Sequence, residues 1–270
     1  MDRTTPGEIE VYRTGPLAWL RLCRPQAMNA LTGTLLGELG RALDAVERDG
    51  AVRVVAITGS GRAFCAGADL AFVGERVDAG EQILTFVANA AALIERIAAF
   101  PKPVIAAVNG IALAGGLELA LACDLVVAAE SARIGDGHAN FGLLPGAGGA
   151  ARLSRRIGAS RAKQLLFTGE SLPATQLVEM GLVNRVVPDA ELEACVGKLA
   201  EQIAVKSPLG LRALKRLVDE GLERPLEDAL ELEQEALRAY VGSADLREGL
   251  AAFLEKRAPR FTAAGEGAGS

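Results

Sequence analysis

The chain has 270 residues, half of them apolar and 23% charged, with 34 acidic against 29 basic side chains and a net charge of −5. That balance describes a globular chain with ample material for a core and excludes intrinsic disorder. An acidic chain with 4% aromatic residues has neither the positive field that draws phosphates nor stacking platforms for bases, so no nucleic-acid partner is expected.

Residues 9–13 and 18–22 predict two short strands around the turn Gly15-Pro16. Leu35, Leu36, Leu39, Leu43 and Val46 recur at helical spacing and predict an amphipathic helix over 32–48. The β-branched run 52–58 reads as a buried strand, and the small residues of 59–67 as a loop. A long helix over 81–99 ends before Pro101. Residues 104–108 form a second buried strand, Asn109-Gly110 a turn, 115–123 a helix and 125–129 a third strand. Strands alternating with helices imply a mainly parallel sheet.

Beyond about Ala150 the pattern becomes short helices with loops, then a strand at 183–187. Four helices follow over 189–204, 208–220, 225–240 and 243–257. The expected organisation is a core over 1–200, a helical region over 201–262 and a disordered tail over 263–270, which has nothing to bury. No repeat at a solenoid period is visible.

Cys23, Cys65, Cys123 and Cys195 contain no CxxC pair, so neither a zinc site nor a redox pair is expected. Residues 1–7 are polar and no apolar stretch follows. No secretory leader is therefore expected, and the cysteines should be reduced in a cytoplasmic setting. The apolar runs 103–108 and 125–129 are too short to span a bilayer.

One motif is a decoy. Gly146-Ala-Gly148-Gly-Ala-Ala151 fits the loose dinucleotide pattern GxGxxA, but no β-branched strand precedes it, and the fingerprint requires one. Two other glycine-rich turns, Phe64-Cys-Ala-Gly67-Ala68-Asp69-Leu70 and Asn109-Gly-Ile-Ala-Leu-Ala-Gly115-Gly116-Leu-Glu118, each follow a buried strand and lead to a helix. Such turns expose backbone N–H groups where parallel sheets bind ligands, and two facing each other can hold one oxyanion. Singly, each also fits tight turning and close packing alone.

The pair in this order, with Arg24-Pro-Gln-Ala-Met-Asn-Ala-Leu31, Leu144-Pro-Gly-Ala-Gly-Gly149 and Phe253-Leu-Glu-Lys-Arg257, resembles the crotonase family, the enoyl-CoA hydratase/isomerase superfamily. The resemblance spans roughly residues 8–261. It implies an α/β crotonase fold, a stacked ββα spiral followed by a C-terminal helical trimerisation region, assembled as a homotrimer or dimer of trimers. It also implies that the N–H groups of Ala68 and Gly115 polarise a thioester carbonyl. Glu118, three residues after Gly115 and so on the same helix face, matches one of the two catalytic glutamates of the hydratases. The other glutamate would stand seven residues before Pro145, where this chain has His138. Imidazole also moves protons near neutral pH, so a Glu118/His138 pair suits hydration; the bland alternative is a structural histidine. Asp136 and Asn140 are weaker understudies. Loss of that glutamate disfavours a double-bond isomerase.

By the same resemblance the substrate is an acyl-CoA, with coenzyme A as its handle and no separate cofactor or metal. Backbone around Ala27, Met28, Ala66, Ala68, Asp69, Leu70 and Gly115 would hold it. The lysine common after the Asp-Leu pair is Ala71 here, leaving Arg24 and a neighbouring subunit's Phe253 and Lys256 as further CoA contacts. Phe72, Val73, Leu84, Val87, Phe141 and Leu144 are the expected acyl-pocket lining. The expected activity is enoyl-CoA hydration. A thioester or β-diketone hydrolase with His138 as base, and a non-catalytic acyl-CoA-binding scaffold, are the alternatives.

Overall fold

The computed structural model describes residues 7–75 and 79–261; the expected tail over 263–270 and most of the expected leaderless start lie outside them. Among the described residues the strands are β1 (Ile9–Thr14), β2 (Leu17–Leu22), β3 (Val54–Gly59), β4 (Ala63–Cys65), β5 (Val104–Val108), β6 (Ile111–Leu113), β7 (Leu125–Ala129), β8 (Arg133–Gly135), β9 (Ser171–Pro173) and β10 (Arg185–Val187). The helices are α1 (Gly33–Arg48), α2 (Leu70–Gly74), α3 (Gly80–Ala98), α4 (Gly115–Ala122), α5 (Gly149–Ile157), α6 (Ala159–Thr168), α7 (Ala174–Glu179), α8 (Leu192–Ala204), α9 (Pro208–Gly221), α10 (Leu226–Val241) and α11 (Ala244–Leu254).

The strands form a six-stranded sheet, β1-β2-β3-β5-β7-β10, and a four-stranded sheet, β4-β6-β8-β9. In the larger sheet only the β1–β2 hairpin is antiparallel. Its central strands β3 and β5 are buried along their whole length, which is why they read as continuous apolar runs rather than alternating ones. The mixed α/β arrangement, with its stacked strands and C-terminal helices, is the expected crotonase fold.

Successive turns of chain deliver one strand to each sheet: β3 then β4, β5 then β6, β7 then β8. This repeat is absent from the sequence pattern because the first turn contains the 19-residue helix α3 and the second contains the eight-residue α4. The segment 59–67, expected as loop, contains β4; β6, β8 and β9 were likewise unexpected, and so was the short helix α2. The small-sheet strands have three residues each, too few for any periodicity to declare itself.

One buried amide fixes the wall of chain beside the smaller sheet. Asn29 is fully buried. Its Nδ2 donates to Ser60 O at 2.9 Å and Ala63 O at 2.7 Å. Its Oδ1 accepts from Arg24 N at 2.9 Å. The turn 24–30 is thereby fastened to the β3–β4 connection. The Leu31 N–H donates to Gly67 O at 2.7 Å and the Asp69 N–H to Leu31 O at 3.0 Å, extending the fastening to the glycine loop.

The C-terminal helices gather at the other end of β3. Arg53, just before β3, donates to Lys206 O at 2.8 Å. Ser207 caps α9, accepting from Gly210 N at 2.8 Å, and donates to Asp245 Oδ2 at 2.5 Å. Leu226, Leu230 and Leu237 of α10 are exposed.

Replacing Asn29 by Ala leaves Ser60 O and Arg24 N without this partner and Ala63 O with only the longer bond from Asn109 Nδ2, at 3.3 Å. Urea unfolding should report a loss of about 3 kcal/mol, since each orphaned buried group costs about 1–3 kcal/mol. A loss below about 1 kcal/mol would mean the 24–30 turn holds without this amide.

Candidate active site

The two glycine-rich turns touch. Leu31 bridges to Ala68 through the carbonyl of Gly67 and the N–H of Asp69, so the N–H of Ala68 itself faces away from that bridge. Gly115 opens α4, where the first N–H groups have no partner inside the helix. A Cβ on Gly67 would stand 2.8 Å from Ala114 Cβ and 3.2 Å from Gly115 N, and one on Gly115 would lie 3.7 Å from Ala68 N. Ala68 and Gly115 therefore sit side by side, as two oxyanion donors must.

Ala114, just before α4, has φ 51° and ψ −117°, a conformation that costs an alanine about 1–3 kcal/mol. Its N–H donates to Gly135 O at 3.2 Å. β8 thus holds the strained residue that aims the start of α4.

Glu118 lies one turn into α4, a helix buried at every position, and is only 4% exposed. Its Oε1 accepts from Ala147 N at 2.7 Å and Gly149 N at 2.9 Å, whereas Oε2 receives no donor among the described residues. The glycine motif 146–149 is thus an anion-binding helix start whose anion is the protein's own carboxylate. Nothing in the local residue pattern pointed to this internal use.

His138 opens a short 3-10 turn over His138–Phe141. Its Nδ1 lies 2.9 Å from Asp136 Oδ1, and its backbone N–H donates to Asp136 Oδ2 at 3.1 Å. Asp136 is buried at 1% exposure. Burial pushes the imidazole pKa down; the hydrogen bond and charge of Asp136, with the charge of Glu118, outweigh it and hold His138 above its usual 6.5. Asp136, expected only as an understudy, instead orients the ring. Asn140 faces away, donating to Gly169 O at 2.9 Å.

The expected coenzyme contacts divide into two groups. Ala27, Met28, Ala66, Ala68, Asp69 and Leu70 share the wall beside Gly115: Met28 O accepts from Ala66 N at 3.0 Å. Asp69 caps α2, accepting from Ala71 N and Phe72 N. Burial works against its charge, but Arg24 and those N–H groups hold its carboxyl below the usual carboxylate range. Arg24, the expected cationic candidate, stands in the same wall, its Nε 2.9 Å from Glu8 and its Nη2 3.0 Å from Asp69. Phe253 lies on α11, at the far end of β3 from these turns, and Lys256 falls beyond that helix rather than within it. Neither joins the site within one chain.

Around the expected acyl pocket, Phe72 packs on Phe86 with ring centres 5.2 Å apart. Val87 meets Gly146, whose Cβ would lie 2.4 Å from it. Phe141, Leu84 and Leu144 are exposed. Cys65 on β4 is wholly buried, and burial pushes its thiol up to about 12, which excludes it as a nucleophile near neutral pH.

The enoyl-CoA hydratase/isomerase family model matches residues 13–264. The chain belongs to that family. It is 43% identical over 246 residues to crotonyl-CoA hydratase of Syntrophomonas wolfei, covering 91% of this chain and 94% of that protein. It is 42% identical over 255 residues to 2,3-dehydroadipyl-CoA hydratase of Escherichia coli K12, covering 94% and 98%. The crystal structure of an enoyl-CoA hydratase from Bacillus anthracis superimposes with a TM-score of 0.89 at 41% identity, covering 96% of this chain and all of that one. Among the described residues no helix is long and apolar enough to cross a membrane.

The contact between the turns can be tested by adding one methyl to each. Gly67 has φ +95°, so alanine there is strained and also strikes Ala114. Alanine at Gly115 presses only on the end of the Leu31 side chain, at 3.0 Å, and makes ordinary contacts with Gly67 Cα at 3.4 Å and Ala68 N at 3.7 Å. Denaturant unfolding should show Gly67→Ala losing about 2–4 kcal/mol and Gly115→Ala about 1 kcal/mol or less. Equal losses would contradict the close approach of the two turns.

Proposed function

We propose that this protein is an enoyl-CoA hydratase, adding water to a 2-enoyl-CoA to give a 3-hydroxyacyl-CoA. The observation that carries the reading is Glu118: a buried carboxylate, gripped at Oε1 by two N–H groups, with Oε2 free beside the start of α4 and His138. The two relatives, a crotonyl-CoA hydratase and a 2,3-dehydroadipyl-CoA hydratase, support it.

The N–H groups of Ala68 and Gly115 donate to the thioester oxygen, and one such donor is worth about 3–4 kcal/mol in the transition state. Oε2 of Glu118 takes a proton from water as the water oxygen bonds to Cβ. The π electrons of the double bond move toward the thioester, giving an enolate. His138, cationic, transfers the Nε2 proton to Cα. Proton exchange through solvent then returns the Glu118 proton to the imidazole. Water and alkene account for every atom of the product, and the step calls on no metal or redox cofactor.

Coenzyme A enters as part of the substrate along the wall of residues 24–31 and 66–70. Its remaining contacts come from Phe253 and Lys256 of a neighbouring subunit, in a homotrimer or dimer of trimers built on the exposed leucines of α10 and the helical region from about 201. A cytoplasmic location fits the four free cysteines.

The Asp136–His138 pair also favours a second reading, in which neutral His138 draws a proton from water attacking the thioester carbonyl. The two readings have opposite pH dependence. Held above 6.5, His138 as proton donor gives turnover that is full below its pKa and falls as pH rises through it. As a base it gives turnover that rises through the same pKa.

With crotonyl-CoA, the wild-type protein should remove the enoyl-thioester absorbance without releasing free thiol. Glu118→Gln should lower kcat by at least about 10²-fold with the fold intact. Thiol release with a rising pH limb would establish the hydrolase instead. Binding of the thioester without either reaction would make the protein an acyl-CoA-binding scaffold.

A further inference from the structure

We infer that Asp136 is a positioning residue, which locks the His138 ring with Nδ1 held by its carboxylate and Nε2 turned to the reacting carbons. This rests on the hydratase reading for its chemical purpose but not for its geometry. Asp136 holds the histidine at two points at once, the ring at 2.9 Å and the backbone N–H at 3.1 Å. The two carboxylate oxygens are divided between them, which fixes both where the residue enters the turn and how the ring rotates. At 1% exposure, Asp136 has no competing water to weaken either bond.

The charged groups acting on the ring are Asp136, from the end of β8, and Glu118, from α4. α6 packs on the same turn, and its end meets that turn through the neutral Asn140–Gly169 hydrogen bond. Both charges are negative, and both favour imidazolium.

Because a carboxylate only accepts, the neutral ring must keep its remaining proton on Nδ1. This is the less common tautomer of a free imidazole, and it leaves the Nε2 lone pair facing the site. The proton gained on acidification therefore goes to Nε2, the nitrogen that proposed hydration uses. Asparagine at 136 reverses this: its Oδ1 serves the backbone N–H while its amide donates to Nδ1, driving the neutral proton to Nε2 and removing a negative charge.

The chain holds a single histidine, so tag-free protein labelled with ¹⁵N-histidine gives one imidazole in nitrogen-resolved NMR. In the wild type the neutral ring should carry its proton on Nδ1, and its titration midpoint should lie above 6.5, the usual value. In Asp136→Asn the midpoint should fall to 6.5 or below and the neutral proton should move to Nε2. With crotonyl-CoA this variant should lose about 10²-fold in kcat at little change in KM. The falling limb of its pH profile should shift to lower pH, and Asp136→Glu should recover part of the loss. A wild-type neutral ring protonated on Nε2 overturns the inference by itself, whether or not the asparagine variant folds. So does a variant whose midpoint and pH profile match the wild type. The predicted NMR behaviour in a protein that fails to hydrate crotonyl-CoA would overturn the hydratase reading and leave the role of Asp136 standing.

Discussion

A carboxylate buried without a lysine or arginine beside it sets the terms for the rest of the site. Taking Glu118 out of water costs several kcal/mol if nothing replaces its hydration. Among the described residues no basic side chain pairs with it. The replacement is backbone: the N–H groups of Ala147 and Gly149, each a charge-assisted bond worth about 1.5–3 kcal/mol. The chain must therefore bring a helix start within 3 Å of α4, which leaves no room for side chains. A Cβ at Gly149 would lie 3.1 Å from Glu118 Oε1 and 2.9 Å from Pro145, and Gly148 sits at φ +98°. The glycine at 149 follows from the solvation of one anion, and the one at 146 from the close approach of Val87.

The same economy links the two halves of the site. β8 accepts the Ala114 N–H at Gly135, which holds α4 in register with the turn around Gly67. Past Gly135 the chain continues to Asp136 and His138. The segment that aims Gly115 thus also presents the imidazole, so the proposed oxyanion donors and the proposed second acid/base are set by one stretch of chain. The wall of residues 24–31 is joined on the other side, through Asn29 to β4 and through Leu31 to Gly67 and Asp69. Every group expected to touch the thioester is held by short backbone bonds to a neighbour that is itself held.

How much of this could be read from residues alone depended on length. β3, β5 and β7 each bury four or five apolar residues in a run, and such runs announce themselves. The three-residue strands of the smaller sheet do not, because pairing such as Ile111 with Arg133 joins distant segments with no local pattern. The two glycine turns were legible because a strand-to-helix turn with glycine in it makes a physical claim about N–H groups; the choice of Ala68, Gly115 and Glu118 within them came from the family resemblance. Ala147 and Gly149 were not, since the anion that explains them lies in a different helix. Asp136 had a local signal that was undervalued: an aspartate two residues before a histidine can bond the backbone N–H and the ring together. The pairing of Arg24 was not legible for the opposite reason, since its partner Glu8 stands sixteen residues away and no spacing rule connects them.

Replacing the second glutamate of the hydratase pattern by histidine would by itself change the charge of the site. A hydratase pair with one carboxylate ionised and the other protonated carries one negative charge and one transferable proton. Glu118 with imidazolium alone would be neutral, and the loss of negative charge would weaken the pull on a proton from water. Asp136 supplies the missing charge. Glu118 and Asp136 ionised, with His138 protonated, again amount to one negative charge and one transferable proton. In the proposed reaction the aspartate therefore both orients the ring and restores the electrostatic balance that the substitution would otherwise disturb, and both effects come from one side chain placed two residues before the histidine.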